Sequence, residues 1–357
     1  MTVLKIRGGD LDLVEYEFVS FHPGENLHLM GMEGEYSLKV SSEPVSVRAP
    51  GRIHLTVLDM NRFSPGHPGG GGIGFAIQVY ARVTAACTGS GYVIEYDRPA
   101  IISHFLRLFS RVVGYSGGFS ISARDHEYKH VGLGSTCTIL IAVAAAVNRA
   151  IGDPLTLDQL RILIGNNYVE ETEGGMVAYG FETGVGPAVS SYGGMAVMGD
   201  DLTIVYRQGF AADKHVHIVI PSSSISSAGE EEFSLLMNKA RTLDYRDREQ
   251  KAYCTLMDFI PALQSGNLEK MGEVIWEMEF RGSKRAEIEH HSFELYQYMN
   301  KLRKAGLEFV GMSSVGPSIA IITSRTAEEI AGIVTSLGLR TAISTRVDNH
   351  GLIFETS

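Results

Sequence analysis

Directly after His130-Val131-Gly132-Leu133-Gly134-Ser135-Thr136, the segment Cys137–Ile151 is built almost wholly of Ala, Ile, Leu and Val. A helix that is apolar all round has to lie inside a protein. The glycine loop is therefore carried on the end of a central, buried helix. A helix start leaves several backbone N–H groups without partners, and the helix dipole adds partial positive charge there. Glycines remove the Cβ atoms that would keep a phosphate from those amides. Ser135 and Thr136 add hydroxyls, and Lys129 and His130 add basic groups just upstream. The bland alternative is a tight strand-to-helix turn that uses glycine for backbone reasons alone. The loop is not a Walker loop, because no Gly-Lys-Ser/Thr follows, and it lacks the third glycine of a dinucleotide fingerprint.

Other segments surround this element. Arg52–Leu58 reads as a strand opened by Pro50-Gly51, followed by a glycine-dense loop from Ser64 to Gly74 and a strand over Phe75–Ala86. Ile101–Val113 has helical spacing. Gly152-Asp153-Pro154 stops the buried helix, and Thr156 is placed to cap a helix over Leu157–Glu173. Further helices are expected over Glu230–Arg241, Glu249–Ser265, Leu268–Phe280, Phe293–Ala305 and Ala327–Leu337. Strands are expected near His215–Pro221, Phe309–Thr323 and Thr341–Val347. Elements mix without strict alternation, so the expected class is α+β with two domains. The expected division is 1–47 as an N-terminal extension, 48–205 as a first domain and 206–357 as a second.

Composition narrows the function. At 357 residues with a net charge of −10, the chain lacks the basic footprint of a nucleic-acid binder. A phosphate site must be assembled locally, from amides, a few basic side chains or a metal. The longest apolar run, Ile139–Val147, is well short of a membrane span, so no membrane partner is expected. The cysteines, Cys87, Cys137 and Cys254, have no metal-ligand spacing, and a reducing cytoplasm is the expected compartment.

Three ordered segments carry a resemblance. Arg48–Leu55 resembles the first motif of the GHMP kinases, His130–Thr138 their phosphate loop, and Gly311–Pro317 their C-terminal glycine turn. The resemblance covers the chain from about Arg48 onward. It implies a two-domain α+β fold with the active site in the interdomain cleft. Kinases of this superfamily carry a catalytic Asp in a stretch that here reads Gly184-Val185-Gly186-Pro187-Ala188. Gly186 stands at that position, and glycine can neither accept a proton nor orient a hydroxyl.

A non-kinase branch is similar at the same point. The β-ribofuranosylaminobenzene 5'-phosphate synthases of methanopterin biosynthesis resemble this chain in Arg52–Leu55 with Asp59, in Gly70–Ala76, in Gly184–Gly186, in Gly229–Phe233 and in Met312–Pro317. The resemblance implies condensation of phosphoribosyl pyrophosphate with 4-aminobenzoate or 4-hydroxybenzoate, release of pyrophosphate and CO2, use of Mg²⁺, and a homodimer. The catalytic candidates are Arg52, His54 and Asp59. The phosphate-binding candidates are Lys129, Gly132, Gly134, Ser135, Thr136, Ser313, Ser314 and Gly316. Gly71, Gly72, Gly74, Gly184 and Gly186 are expected around the substrate, and Ser135 and Glu171 at the metal, with Glu170 as the other helix carboxylate.

Each candidate has a plainer reading. Arg52 would grip the benzoate carboxylate or the ribose phosphate, or form a surface ion pair. His54 would orient the aromatic substituent, or be a satisfied, partly buried histidine. Asp59 and Asn61 would line the pocket or only shape a turn. Two other functions stay open at this point: an ATP-dependent small-molecule kinase, and a catalytically silent protein that senses a phosphorylated metabolite.

Overall fold

The computed structural model describes residues 19–62, 64–126, 128, 131–222 and 234–355, with the short paired strands β1 (Lys5–Ile6) and β2 (Val14–Glu15). Lys129, His130 and Gly229–Phe233 lie outside the described residues.

The first sheet is built on two long strands, β3 (Val45–Val57) and β4 (Gly72–Thr88), paired antiparallel. The register shifts between Pro50 and Gly51, so Pro50-Gly51 sits inside β3 at an irregularity instead of opening the strand. A proline is tolerated in a sheet at such a point because the ladder is already broken there. Strands β5 (Tyr92–Glu95) and β6 (Gly118–Arg124) run parallel, joined through helix α1 (Pro99–Val113). Helix α2 (Ser135–Ala150) is the apolar segment read from the sequence, and nearly every residue in it is buried. It packs with α1 and the sheet into one large core.

Thr156 caps α3 (Leu157–Asn166) in a reciprocal capping box with Gln159, as the sequence predicts. The helix stops well before Glu173. Val169–Glu171 instead forms β7, paired with β8 (Val177–Tyr179), so Glu170 and Glu171 sit on a strand and not on a helix. Helix α4 (Val185–Tyr192) and the strands β9 (Met195–Met198) and β10 (Ile204–Gln208) complete this part of the chain, and both strands join the first sheet.

The second sheet is antiparallel, in the order β12 (Phe309–Met312), β13 (Ile319–Thr323), β11 (His215–Val219) and β14 (Thr341–Thr345). Helices at Arg241–Cys254, Leu268–Glu279, Gly282–His291, Glu294–Lys304 and Ala327–Ser336 accompany it. The helix at Gly282–His291 was not expected. Its sequence is too polar to show an apolar stripe, and Gly282 adopts the left-handed backbone at its start.

Two boundaries differ from the expected division. The final strand β15 (Ile353–Glu355) returns to pair with β3, so the end of the chain belongs to the first sheet. The described residues from 19 onward ahead of β3 join the first core. Phe21 exchanges backbone hydrogen bonds with Val177, and Leu27, Leu29, Met32 and Tyr36 pack on the first core. A second core unites Ile53, Leu55 and Phe75 of the first sheet with Phe309, Ala320 and Ile322 of the second. Among the described residues no helix is long and apolar enough to cross a membrane.

Candidate active site

The glycine loop opens a pocket of about 80 Å³, lined by Arg52, Tyr128, Gly132, Leu133, Gly134, Ser135, Thr136, Tyr168, Glu170, Ser314, Val315 and Gly316. At roughly 10–15 Å³ per water on this measure, it holds about five to eight waters, enough for an anionic group of a few heavy atoms. The first and third sequence motifs thus meet at the second, as their order predicts.

Local geometry explains the glycines. Gly134 is the residue ahead of α2 and has φ +73°, and no side chain caps the helix start. The amides of the first turn are left for a ligand. A Cβ on Gly134 would lie 2.7 Å from Cγ and Nε of Arg52, so the arginine lies flat against the loop. Arg52 Nη1 also donates to the Gly132 carbonyl at 2.8 Å. Gly132 has φ +91°, and a Cβ there would overlap the Ser313 carbonyl.

Ser313 is fully buried and acts as a clasp. Its Oγ donates to the Gly132 carbonyl at 2.6 Å and accepts from the His54 amide at 3.1 Å. Its hydroxyl is therefore spent on joining β3, the loop and the C-terminal turn, and not on phosphate. Ser314 N donates to the His54 carbonyl at 2.6 Å, and Lys284 Nζ donates to the Ser314 carbonyl at 2.6 Å. Ser313→Ala should leave the His54 amide without its partner and the Gly132 carbonyl with Arg52 alone, at a cost of about 1–3 kcal/mol in urea unfolding. A change under about 0.5 kcal/mol, the size of an ordinary surface substitution, would count against the clasp.

Three candidates make their contacts away from this pocket. His54 does not line the pocket. Its Nε2 lies 3.3 Å from Thr183 Oγ1, and burial, then Arg52, Lys284 and Lys251, hold its pKa well below the usual value. It is a neutral histidine inside the fold. Asp59 Oδ1 accepts from the Asn61 amide at 2.9 Å, and the carboxylate faces Arg62 at 3.7 Å and Arg248 at 3.8 Å. It shapes a turn. Glu171 accepts from the Ala100 amide at 3.0 Å and so caps α1. Successive residues on a strand point to opposite faces, and Glu170 is the one that reaches the loop.

The other glycines are packing positions. A Cβ on Gly71 would overlap the Met198 carbonyl, and one on Gly74 the Ile53 carbonyl. On Gly72 it would come within 3.0 Å of His54 Nε2, and on Gly184 within 2.9 Å of Met198 Cε. On Gly186 it would lie 2.8 Å from the Sγ of Cys137. An aspartate at 186 has no room. The buried carboxylate in this neighbourhood is Glu182, which accepts from the Cys137 thiol at 2.9 Å and the Gly184 amide at 2.7 Å. Burial raises its pKa, and it raises that of Cys137 further. Gly186→Asp should cost about 1–3 kcal/mol in thermal unfolding through overpacking without yielding ATP turnover; a stable variant that consumes ATP would contradict this.

Arg98 carries no local signal in the sequence. It precedes Pro99 at the start of α1 and reaches across to the loop. Nη1 donates to Thr136 Oγ1 at 2.6 Å, and Nη2 donates to Ser135 Oγ at 2.9 Å and Tyr96 Oη at 2.8 Å. Glu170 lies 3.7 Å away and Asp125 3.5 Å away. Thr136 in turn donates to Glu170 at 3.1 Å, and Tyr168 donates to the same carboxylate.

No protein-family model matches the chain. Curated relatives do. The β-ribofuranosylphenol 5'-phosphate synthase of Archaeoglobus fulgidus is 27% identical over 313 residues, covering 82% of this chain and 90% of that protein. The protein of the same name from Methanothermobacter thermautotrophicus is 25% identical over 321 residues, covering 82% and 92%. That of Methanocaldococcus jannaschii is 23% identical, covering 76% and 88%. Among solved structures, mevalonate diphosphate decarboxylase from Staphylococcus aureus superimposes with a TM-score of 0.63 at 16% identity, covering 88% of this chain and 98% of that one. Homoserine kinase from Cytophaga hutchinsonii gives 0.61 at 12% identity, covering 89% and 99%. The chain has the fold of the GHMP kinases, and the curated proteins it resembles in sequence are β-ribofuranosylphenol 5'-phosphate synthases.

Proposed function

We propose that this protein joins the ribosyl group of phosphoribosyl pyrophosphate to a para-substituted benzoate, releasing pyrophosphate and CO2. The bond from ribose C1 to the pyrophosphate oxygen breaks, and that oxygen keeps the electron pair. The ring carbon bearing the carboxylate attacks C1. The carboxylate then leaves as CO2, and its bonding pair returns to the ring and restores aromaticity. The relatives are named for a ribofuranosylphenol phosphate, which supports 4-hydroxybenzoate over 4-aminobenzoate as the acceptor. It also supports a place in tetrahydromethanopterin biosynthesis.

The residues have work in this scheme. Loop amides at the start of α2 and the Arg52 guanidinium face the leaving diphosphate, where negative charge develops. Tyr128 and Tyr168, with Leu133 and Val315, stand at the same pocket, beside which the aromatic acid would approach. The observation that favours this reading over a kinase is Gly186 packed on Cys137. The position for an acceptor-activating carboxylate is filled, and a ring-carbon nucleophile needs none.

The donors that the resemblance assigns to Mg²⁺, Ser135 and Glu171, do not form an open metal site, since Glu171 accepts from the Ala100 amide. Glu170 and the Ser135 and Thr136 hydroxyls are all engaged with Arg98, and among the described residues no three His, Cys, Asp or Glu side chains gather to hold a metal. In this reading Mg²⁺ is a partner of the diphosphate in solution. A cytoplasmic setting agrees with three free cysteines, and a homodimer rests on the resemblance alone. The test is incubation with phosphoribosyl pyrophosphate and each benzoate, monitoring pyrophosphate and CO2 together. Release of both in equal amounts is expected, and ATP consumption with an alcohol acceptor in their place would overturn the reading.

A further inference from the structure

We propose that Arg98 is the built-in cation of the phosphate pocket, occupying among Ser135, Thr136 and Glu170 the place that a protein-held divalent ion would need. The inference rests on reading the loop as a diphosphate site and adds how that site is charged. A hydroxyl can donate once and accept twice. Arg98 Nη2 donates to Ser135 Oγ, so the serine proton is left for an anion in the pocket that Ser135 lines. Arg98 Nη1 donates to Thr136 Oγ1, whose own proton goes to Glu170. Both hydroxyl oxygens thus face a fixed positive charge. A divalent ion ligated by them would sit within a few ångströms of a guanidinium that stays charged in proteins.

The guanidinium is also held in place. Its side chain is 12% exposed, with Asp125 at 3.5 Å, Glu170 at 3.7 Å and the Tyr96 hydroxyl at 2.8 Å. Pro99 disfavours a helical backbone at Arg98, which has φ −122° and ψ 70°. On this cation at the start of α1 converge the start of α2, β7 and Asp125, the residue after β6. A metal would have to evict it from two carboxylates and three hydroxyls. Arg98 does not line the pocket itself, so it is a positioning residue that acts through Ser135 and Thr136.

The experiment titrates inorganic pyrophosphate into the purified full chain by calorimetry, once with Mg²⁺ and once with EDTA. Free Mn²⁺ is then titrated into the protein alone and followed by electron paramagnetic resonance. Wild type should bind pyrophosphate in both buffers with affinities within about tenfold, and should bind no Mn²⁺ on its own. Arg98→Met should lose metal-free pyrophosphate binding by more than about tenfold and gain a Mn²⁺ site that a second change, Glu170→Gln, removes. Arg98→Lys should retain metal-free binding, which a purely structural role would not predict. Wild-type binding that appears only with Mg²⁺, a Mn²⁺ site in the wild type without pyrophosphate, or an Arg98→Met variant with unchanged metal-free affinity overturns the proposal. Circular dichroism checks that the variants fold, and the wild-type arms decide even where they do not. No pyrophosphate binding in either buffer would instead overturn the reading of the loop as a phosphate site.

Discussion

Gly134→Ala should lower pyrophosphate affinity about a hundredfold, roughly 2.7 kcal/mol, while the protein still folds. Two effects combine at this position. The left-handed backbone, φ +73°, costs an alanine on the order of 1–2 kcal/mol, which appears as lost stability. The added methyl also meets Arg52, 2.7 Å from Cγ and Nε and 3.0 Å from Cζ. These atoms belong to a side chain and not to backbone, so the arginine can swing away and the fold survives. The pocket then loses both its shaped amides and its nearest lining cation. Gly132→Ala differs, because its methyl would overlap the Ser313 carbonyl and break the clasp between loop and C-terminal turn. Calorimetry with pyrophosphate and thermal melts on both variants separate the two. Wild-type pyrophosphate affinity in a folded Gly134→Ala protein would show that the loop does not bind phosphate.

Arg52→Ala should cost about 2 kcal/mol of ligand affinity, roughly thirtyfold. Which ligand loses it depends on where the guanidinium points. Arg52 lies along Gly134 and donates to the Gly132 carbonyl, and both residues belong to the phosphate loop. The expected result is therefore a rise in KM for phosphoribosyl pyrophosphate with a smaller change for the benzoate. The opposite pattern would place Arg52 on the benzoate carboxylate. No change in either constant would make it a loop brace only. Gly134→Ala and Arg52→Ala touch the same contact, so their combined effect on pyrophosphate affinity should be well short of the sum.

The sequence was most legible where local chemistry decides structure. Helix α2 is apolar on every side, and no other element can satisfy that pattern, so its extent was read to within two residues at the start and one at the end. Thr156 announces a helix because its hydroxyl can cap one, and with Gln159 three residues on it forms a capping box. The segment after α3 was misread because Val169–Glu171 is too short to show alternation, and it becomes a strand only by pairing with β8. That pairing also decides which of Glu170 and Glu171 faces the loop. Among site residues, Arg52 and the loop glycines were visible because their roles follow from spacing and backbone. His54, Asp59 and Ser313 lie in the motif segments but turn their side chains to structural partners. Arg98 had no local signal. It stands far from the loop in sequence, and only the packing of α1 beside α2 brings its guanidinium onto Ser135 and Thr136.

The most direct test is a single reaction containing the purified protein, Mg²⁺, phosphoribosyl pyrophosphate and 4-hydroxybenzoate labelled in its carboxyl carbon, with 4-aminobenzoate in a parallel tube. The account predicts labelled CO2 and pyrophosphate released one for one, faster with the hydroxy acid, and lost in Gly134→Ala. Absence of labelled CO2 with both acids, alongside steady ATP hydrolysis when a small alcohol is supplied, would contradict it.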